Sequence, residues 1–320
     1  MKKILKGIGW LLLFLFALLN MMAAFHAYKF THFYEPSQVV NTPIDKMTDW
    51  QKTSAILFGI HYSKKPISDS PATSALEKYE VKTEDGLTLR GWQICNKRAD
   101  TEPKAIILFH GHGGNRGDLS REAEVFEKMG YCVFMTDFRA HGESDGNVCT
   151  IGYDEAKDVK AVYEDVKKNF GNKIVLWGVS LGAATILKAM ADNKDIQPEK
   201  IILQMPFGSL TDAVNGRLRI MQLPQQPMGT LLTFWGGLEH GFWAFNHKPF
   251  VYARQVHTPV LLQWGRIDPR VTESETNAIF TNLASASKKL VIYEHSGHED
   301  LLKSEPEKWL KTVSGFLNEK

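Results

Sequence analysis

Apolar and polar residues come in blocks along this chain, and the length of each block decides the element it predicts. The run from Gly7 to Phe25 holds 19 residues, of which only Asn20 is polar. That is close to the length needed to cross a bilayer as a helix. Later runs are shorter and rich in branched residues: "KAIILFHG", "YCVFMTDFRAHG", "KIVLW", "KIILQMP" and "PVLLQWGRID". Such continuous apolar runs predict strands buried on both faces. Amphipathic stretches separate them, among them "DLSREAEVFEKMG" and "YDEAKDVKAVYEDVKKNFG", each ending at a glycine, and these predict helices. "YEVKTEDGLTLRGWQI" predicts a β-hairpin turning at Asp85-Gly86. The alternation predicts an α/β fold: a mostly parallel sheet of about eight strands with helices on both faces. In such sheets reactive residues sit at the carboxyl ends of strands.

The same pattern divides the chain. Residues 1–27 read as a membrane anchor or signal segment. Lys2, Lys3 and Lys6 precede the apolar run and only Lys29 follows closely. That asymmetry keeps the amino terminus in the cytoplasm and places the body on the periplasmic or extracellular side. An uncleaved signal anchor fits better than a cleaved signal peptide, because Met22-Ala23-Ala24 is a poor cleavage site. Residues 28–77 read as a juxtamembrane helix and linker, with a helix from about Ile44 to Ile60 carrying Met47, Trp50, Ser54 and Leu57 on one face. Residues 78–320 read as the main domain. Within it the strand-helix rhythm breaks from Ser209 to about Val256, an insert holding Phe234, Trp235, Phe242, Trp243 and Phe245.

Composition narrows the chemistry. Of 320 residues 43% are hydrophobic and 23% charged, as expected of a folded globular body. A net charge of +2, with no basic stripe interleaved with aromatics, argues against nucleic acid. Cys95, Cys132 and Cys149 form no metal-binding spacing. Cys95 and Cys132 fall in strand-like runs and are expected as buried thiols; one disulfide is possible without being signalled. No metal and no organic cofactor is implied, and the sequence does not give the oligomeric state.

The candidate chemistry begins with "KIVLWGVSLGAAT". Ile174 to Trp177 read as a strand and Leu181 to Met190 as a helix. Ser180 lies between them, with Gly178 and Gly182 two residues to either side. Glycines at those offsets let the backbone crowd through a sharp turn. Alone, this could be any glycine-bounded loop of a parallel sheet. "FHGHGGNR", "DFRAHGESDG", "QWGRIDPRV" and "HSGHEDLL" follow at other strand ends. Together these stretches, over about residues 78–318, resemble the α/β-hydrolase superfamily, and within it the single-pass, membrane-anchored BEM46-type branch. Ala140 stands where that family's pattern has a glycine.

The resemblance implies a serine hydrolase. Ser180 would be the nucleophile, His298 its base and Asp268 the acid that holds the imidazole. Backbone N–H groups of Leu181 and His112 would form the oxyanion hole. The insert at 209–256 would be a lid over the site, whose rings either pack it onto the sheet or, as Trp235 and Trp243, line an acyl pocket. The implied reaction is hydrolysis of a carboxylic ester or thioester of a small-molecule acyl substrate through an acyl-enzyme. A serine peptidase or amidase, and a non-catalytic binding protein on the same fold, are the alternatives. Other readings stay open for single residues. Asp268 could cap the helix that follows it. His110, His141 and Ser144 fit structural roles in their loops, and His110 with His112 make a poor metal pair. His240 and His247 lie in the insert with no partner to name.

Overall fold

The computed structural model describes residues 2–39, 47–95, 104–171 and 173–319. The chain opens with α1 (Lys2–Thr31), β1 (Phe33–Tyr34), α2 (Asp49–Phe58) and β2 (Tyr62–Ser63), and continues into the hairpin β3 (Leu76–Lys82) and β4 (Thr88–Ile94). Then come β5 (Ala105–Phe109), α3 (Ser120–Lys128), β6 (Cys132–Thr136), α4 (Glu155–Phe170), β7 (Ile174–Val179), α5 (Leu181–Asp192) and β8 (Lys200–Gln204). The insert carries α6 (Leu210–Ile220), α7 (Met228–Glu239) and α8 (Pro249–Tyr252). The last part is β9 (Val260–Gly265), α9 (Glu273–Asn282), β10 (Lys288–Tyr293), α10 (Leu301–Ser304) and α11 (Pro306–Asn318).

Strands β3 to β10 form one eight-stranded sheet in the order β10-β9-β8-β7-β5-β6-β4-β3, with helices on both faces. Only β4 runs against its neighbours, β3 and β6; every other pair is parallel. The continuous apolar runs have the physical cause expected of them. Every residue of β5, β6, β8 and β9 is buried, because helices cover both faces of the sheet. A fully buried Leu108 or Ile202 contributes about 1.5–3 kcal/mol by leaving water. The chain moves from β5 to β6 in one direction, then returns to place β7 on the other side of β5. Connections diverge at that point and leave a crevice beyond the carboxyl ends of β5 and β7.

Two expectations need correction. Cys95 and Cys132 are not thiols: they form a disulfide, with Cα atoms 4.3 Å apart. Cys95 follows β4 and Cys132 opens β6, and the antiparallel register that pairs Ile94 with Val133 brings them together. The pairing is long-range, so sequence spacing carries no sign of it. Helix α2 is shorter than expected and starts at Asp49, capped by Thr48, which accepts from Gln51 N at 3.2 Å. The expected start at residues 44–46 lies outside the described residues. Trp50 is 73% exposed.

Helix α1 is unbroken over 30 residues. Residues 4–17 are all exposed, whereas Ala23, Ala27 and Thr31 are buried. Residues four apart lie on one helix face, and here that face packs against α7. A Cβ placed on Gly236 would stand 3.9 Å from that of Ala27, and His240 Nε2 meets Thr31 Oγ1 at 2.8 Å.

Candidate active site

The turn after β7 is tight by construction. Ser180 caps α5 with φ 52°, a left-handed conformation that costs a non-glycine residue about 1–3 kcal/mol. A Cβ on Gly178 would meet the backbone of Gly182 at 2.6 Å, and one on Gly182 would meet the Phe109 carbonyl at 2.3 Å. Both glycines are therefore required by backbone crowding. The strain is held by Ser180 N–H, which donates to Gln204 O at 2.8 Å.

Two other strand ends converge on this serine. Asp268 follows β9, and its side chain is fully buried. Its Oδ1 accepts from the N–H groups of Arg270 and Val271 at 2.7 and 2.9 Å, which fixes the carboxylate in the turn. Its Oδ2 meets His298 Nδ1 at 2.7 Å. His298 lies beyond β10, with 9% of its side chain exposed, and its Nε2 meets Ser180 Oγ at 3.0 Å. Asp268 does not cap α9; Thr272 does, accepting from Glu275 N at 3.3 Å. Because Nδ1 faces a carboxylate, the proton sits there and Nε2 is left as the acceptor facing the serine.

The loop after β5 passes close by. A Cβ on Gly111 would stand 3.6 Å from that of Ser180. Two buried imidazoles shape the loop. His110 Nδ1 donates to Gly111 O at 2.7 Å and its Nε2 accepts from Phe138 N at 3.0 Å. His141 Nδ1 donates to Arg139 O at 2.8 Å and its Nε2 accepts from Gly113 N at 3.1 Å. Burial pushes both rings below their ordinary range, which keeps them neutral and their donor and acceptor roles fixed. Ser144 ties the same region, donating to Asp137 O at 2.7 Å and accepting from Arg90 N at 2.8 Å. Among the described residues no acceptor meets the N–H of Leu181 or of His112. Two free donors thus lie beside the serine, one of them at the positive end of α5.

The histidines of the insert have structural partners. His247 Nε2 lies 3.0 Å from Ile151 O and is fully buried, with its pKa pushed down to about 3 by desolvation. His240 reaches Thr31 of α1. Trp235 turns toward α1, its Nε1 donating to Asn20 Oδ1 at 3.2 Å. Trp243 is 59% exposed. Its ring contacts Phe234 and Phe245, with centroids 6.3 and 5.1 Å away.

Sequence reasoning missed Phe30. This residue near the end of α1 stacks on His112, ring centroids 4.6 Å apart. Phe33 stands 5.3 Å from His112 and 4.8 Å from His141. The density of aromatics at positions 30 to 34 was the only available signal. Arg217 of α6 and Arg270, two residues past Asp268, were missed as well. The Arg217 guanidinium lies 5.7 Å from the Phe30 ring. A Cβ on Gly216 would sit 2.4 Å from Arg270 O, so the backbones at 216 and 270 touch.

The chain is similar in sequence and fold to several known proteins. Residues 101–237 match the family described as serine aminopeptidase, S33. The chain is 23% identical over 248 residues to protein bem46 of Schizosaccharomyces pombe, covering 76% of this chain and 77% of that one. It is 32% identical over 117 residues to lysophosphatidylserine lipase ABHD12 of Xenopus tropicalis, covering 35% of this chain and 30% of that protein. An esterase of Pyrococcus furiosus superposes with a TM-score of 0.63 at 24% identity, covering 79% of this chain and 98% of the esterase.

Proposed function

Because this chain belongs to the α/β-hydrolase superfamily and is similar to its BEM46-type branch, we propose that it is a serine hydrolase of carboxylic esters or thioesters. One observation carries the reading: the relay from Ser180 Oγ through His298 to Asp268 lies beside the two unpaired N–H groups of Leu181 and His112.

The chemistry follows from that arrangement. Ser180 Oγ attacks the acyl carbon while its proton passes to His298 Nε2. Asp268 stabilises the imidazolium and holds its ring. The carbonyl oxygen becomes an oxyanion and accepts from Leu181 N–H and His112 N–H. The acyl–oxygen or acyl–sulfur bond then breaks, and His298 returns the proton to the leaving group. Water attacks the acyl-enzyme by the same proton path and frees Ser180. The peptidase reading has one observation in its favour, the description of the matched family as a serine aminopeptidase. The Pyrococcus furiosus neighbour favours the ester reading, since it is an esterase.

We propose that the acyl chain lies along α7, where Phe234, Trp235 and Trp243 form one ring cluster. Each buried methylene contributes about 0.8 kcal/mol, so medium and long chains are the preferred acyl groups. Trp243→Ala flattens that preference more than it lowers acetyl-ester turnover. We propose that the body lies on the non-cytoplasmic side of a membrane crossed by α1. The Cys95–Cys132 disulfide supports this, because such bonds persist in oxidising compartments.

A fluorophosphonate probe tests the reading. Wild-type protein is labelled at Ser180, and Ser180→Ala loses labelling and turnover while remaining folded. An acyl-chain series of esters, run with matched amides, separates esterase from amidase. Labelling that survives Ser180→Ala overturns the proposal.

A further inference from the structure

Residues 111–114 read Gly-His-Gly-Gly, so His112 carries the only side chain that can hold this part of the loop after β5. Gly113 takes a φ of 72°, and glycines on either side of His112 leave the backbone free to rotate. The three imidazoles of the region are held in different ways. His110 and His141 each use both ring nitrogens in hydrogen bonds. Among the described residues no hydrogen bond holds the His112 ring, and its Nε2 is buried without a partner. Other rings hold it instead. Phe30 stacks on it at 4.6 Å, with the two planes 16° apart. Phe33 stands tilted at 5.3 Å and His141 edge-on at 6.0 Å. The one flat contact is therefore made by α1.

Phe30 is itself fixed from both sides. After it, Thr31 O accepts from Cys149 N–H at 2.8 Å, and Phe33 N–H donates to Asn147 O at 2.8 Å. His32 forms a β-bridge with Val148 between them. Before it, Ala27 lies against Gly236 of α7. The ring also meets Tyr62 of β2 edge-on at 5.6 Å. The end of α1 is thus built into the domain, with Phe30 as the ring that reaches the loop.

We infer that Phe30 is a positioning residue: by stacking on His112 it aims the His112 backbone N–H at the oxyanion that forms beside Ser180. The inference rests on the serine-hydrolase reading, which assigns that N–H its role. An oxyanion donor is effective only when it already points to where charge develops. Phe30 acts through His112 and takes no part in the chemistry itself. Its contribution therefore belongs to the transition state, and losing it lowers kcat with KM little changed. The seat of α1 in the domain then sets the rate at Ser180.

The test uses full-length protein in detergent, with p-nitrophenyl butyrate as the ester. kcat and KM are measured for wild type, Phe30→Ala, Phe30→Leu, Phe30→Tyr, His112→Ala and the Phe30→Ala, His112→Ala double variant. Phe25→Ala is the control, because Phe25 packs on Phe58 of α2. Amide hydrogen exchange follows Gly113 and Gly114, whose N–H groups donate to His141 Nε2 and Gly111 O; it reports the loop without any turnover. Phe30→Ala should lower kcat about tenfold to hundredfold, as misplaced catalytic donors do, and should speed exchange at both glycines. Phe30→Tyr keeps the flat face and should restore kcat. Phe30→Leu keeps apolar bulk without the face; it should fold and fall between the two. In the His112→Ala background Phe30→Ala should add little, because both changes remove one contact. An active, labelled wild type whose kcat survives Phe30→Ala, or a loss confined to KM, overturns the inference and leaves the hydrolase reading intact. An equal loss of kcat in Phe25→Ala overturns it as well, since the effect would then be general to α1. If wild type turns over no ester and Ser180 resists fluorophosphonate labelling, the hydrolase reading fails. Faster exchange in Phe30→Ala would then still support Phe30 as the holder of the loop, and unchanged exchange would overturn it.

Discussion

Trp235 donates its indole N–H to Asn20 Oδ1 at 3.2 Å, and the Nδ2 of the same Asn20 donates back to Phe16 O at 2.9 Å. The one polar residue in the apolar run is therefore occupied on both sides, and it fastens helix α7 of the insert to α1. Trp235→Phe keeps the ring and deletes the donor. The expected cost is about 1 kcal/mol, with faster proteolysis between residues 221 and 241. Unchanged protease sensitivity would show that the fastening has no role in holding the insert.

Asp268→Asn tests the acid. The amide oxygen can still accept from the turn N–H groups of Arg270 and Val271, so the fold is retained. The amide nitrogen facing His298 Nδ1 forces the proton to Nε2, and Ser180 then faces a donor in place of an acceptor. By serine-protease precedent kcat falls about 10⁴-fold. Near-normal turnover would remove Asp268 from the mechanism.

The disulfide predicts a thiol count. Denatured, unreduced protein should react with one equivalent of a thiol reagent at Cys149, and with three after reduction. The Cys95→Ala, Cys132→Ala double variant should lose about 2–4 kcal/mol of stability. Three reactive thiols in protein purified from its native host would argue against both the bond and the oxidising side.

Acid lability follows from the buried imidazoles. His112 and His247 ordinarily titrate at 6.5 and are held down to about 3, with burial the largest cause. Below pH 6.5 the unfolded chain takes up protons that the folded protein refuses. Stability is therefore full above about 6.5 and falls progressively toward 3. Urea unfolding at pH 7 and pH 5 measures the slope. His247→Gln should reduce it by about one proton. A wild-type slope of zero between those pH values contradicts the assignment of these rings as neutral.

The sheet was legible in the sequence because burial on both faces writes continuous apolar runs, and β5 to β9 carry them without interruption. The turn at Ser180 was legible because crowding there admits only glycine at 178 and 182. Asp268 and His298 were legible by resemblance, at the strand ends that the structure brings to Ser180. Contacts between distant segments were not legible. Nothing local marks Phe30 as the ring under His112, or Arg217 and Arg270 as neighbours, since those contacts depend on how α1 and the insert dock. Ala140 is an intermediate case. It was visible as a departure from the family glycine, and its φ of 63° shows that the backbone still adopts the conformation a glycine would favour.

The exposed stretch of α1 from Ile4 to Ala17 has 14 residues and rises roughly 21 Å at 1.5 Å per residue, short of a hydrocarbon core of about 30 Å. The contacts of Ala27 with Gly236 and of Thr31 with His240 advance by four residues on both helices, so α7 runs alongside α1 in the same direction. The start of α7 and the α6–α7 turn therefore face the part of α1 that must make up the missing thickness. That turn exposes Ile220, Met221 and Leu223. If α1 is the anchor, the tip of the insert would lie among acyl chains and not above them. Substrate supply is then a matter of partition and two-dimensional diffusion. Turnover should scale with the mole fraction of ester in the bilayer, and diluting the vesicles in buffer at fixed composition should leave the rate per enzyme unchanged.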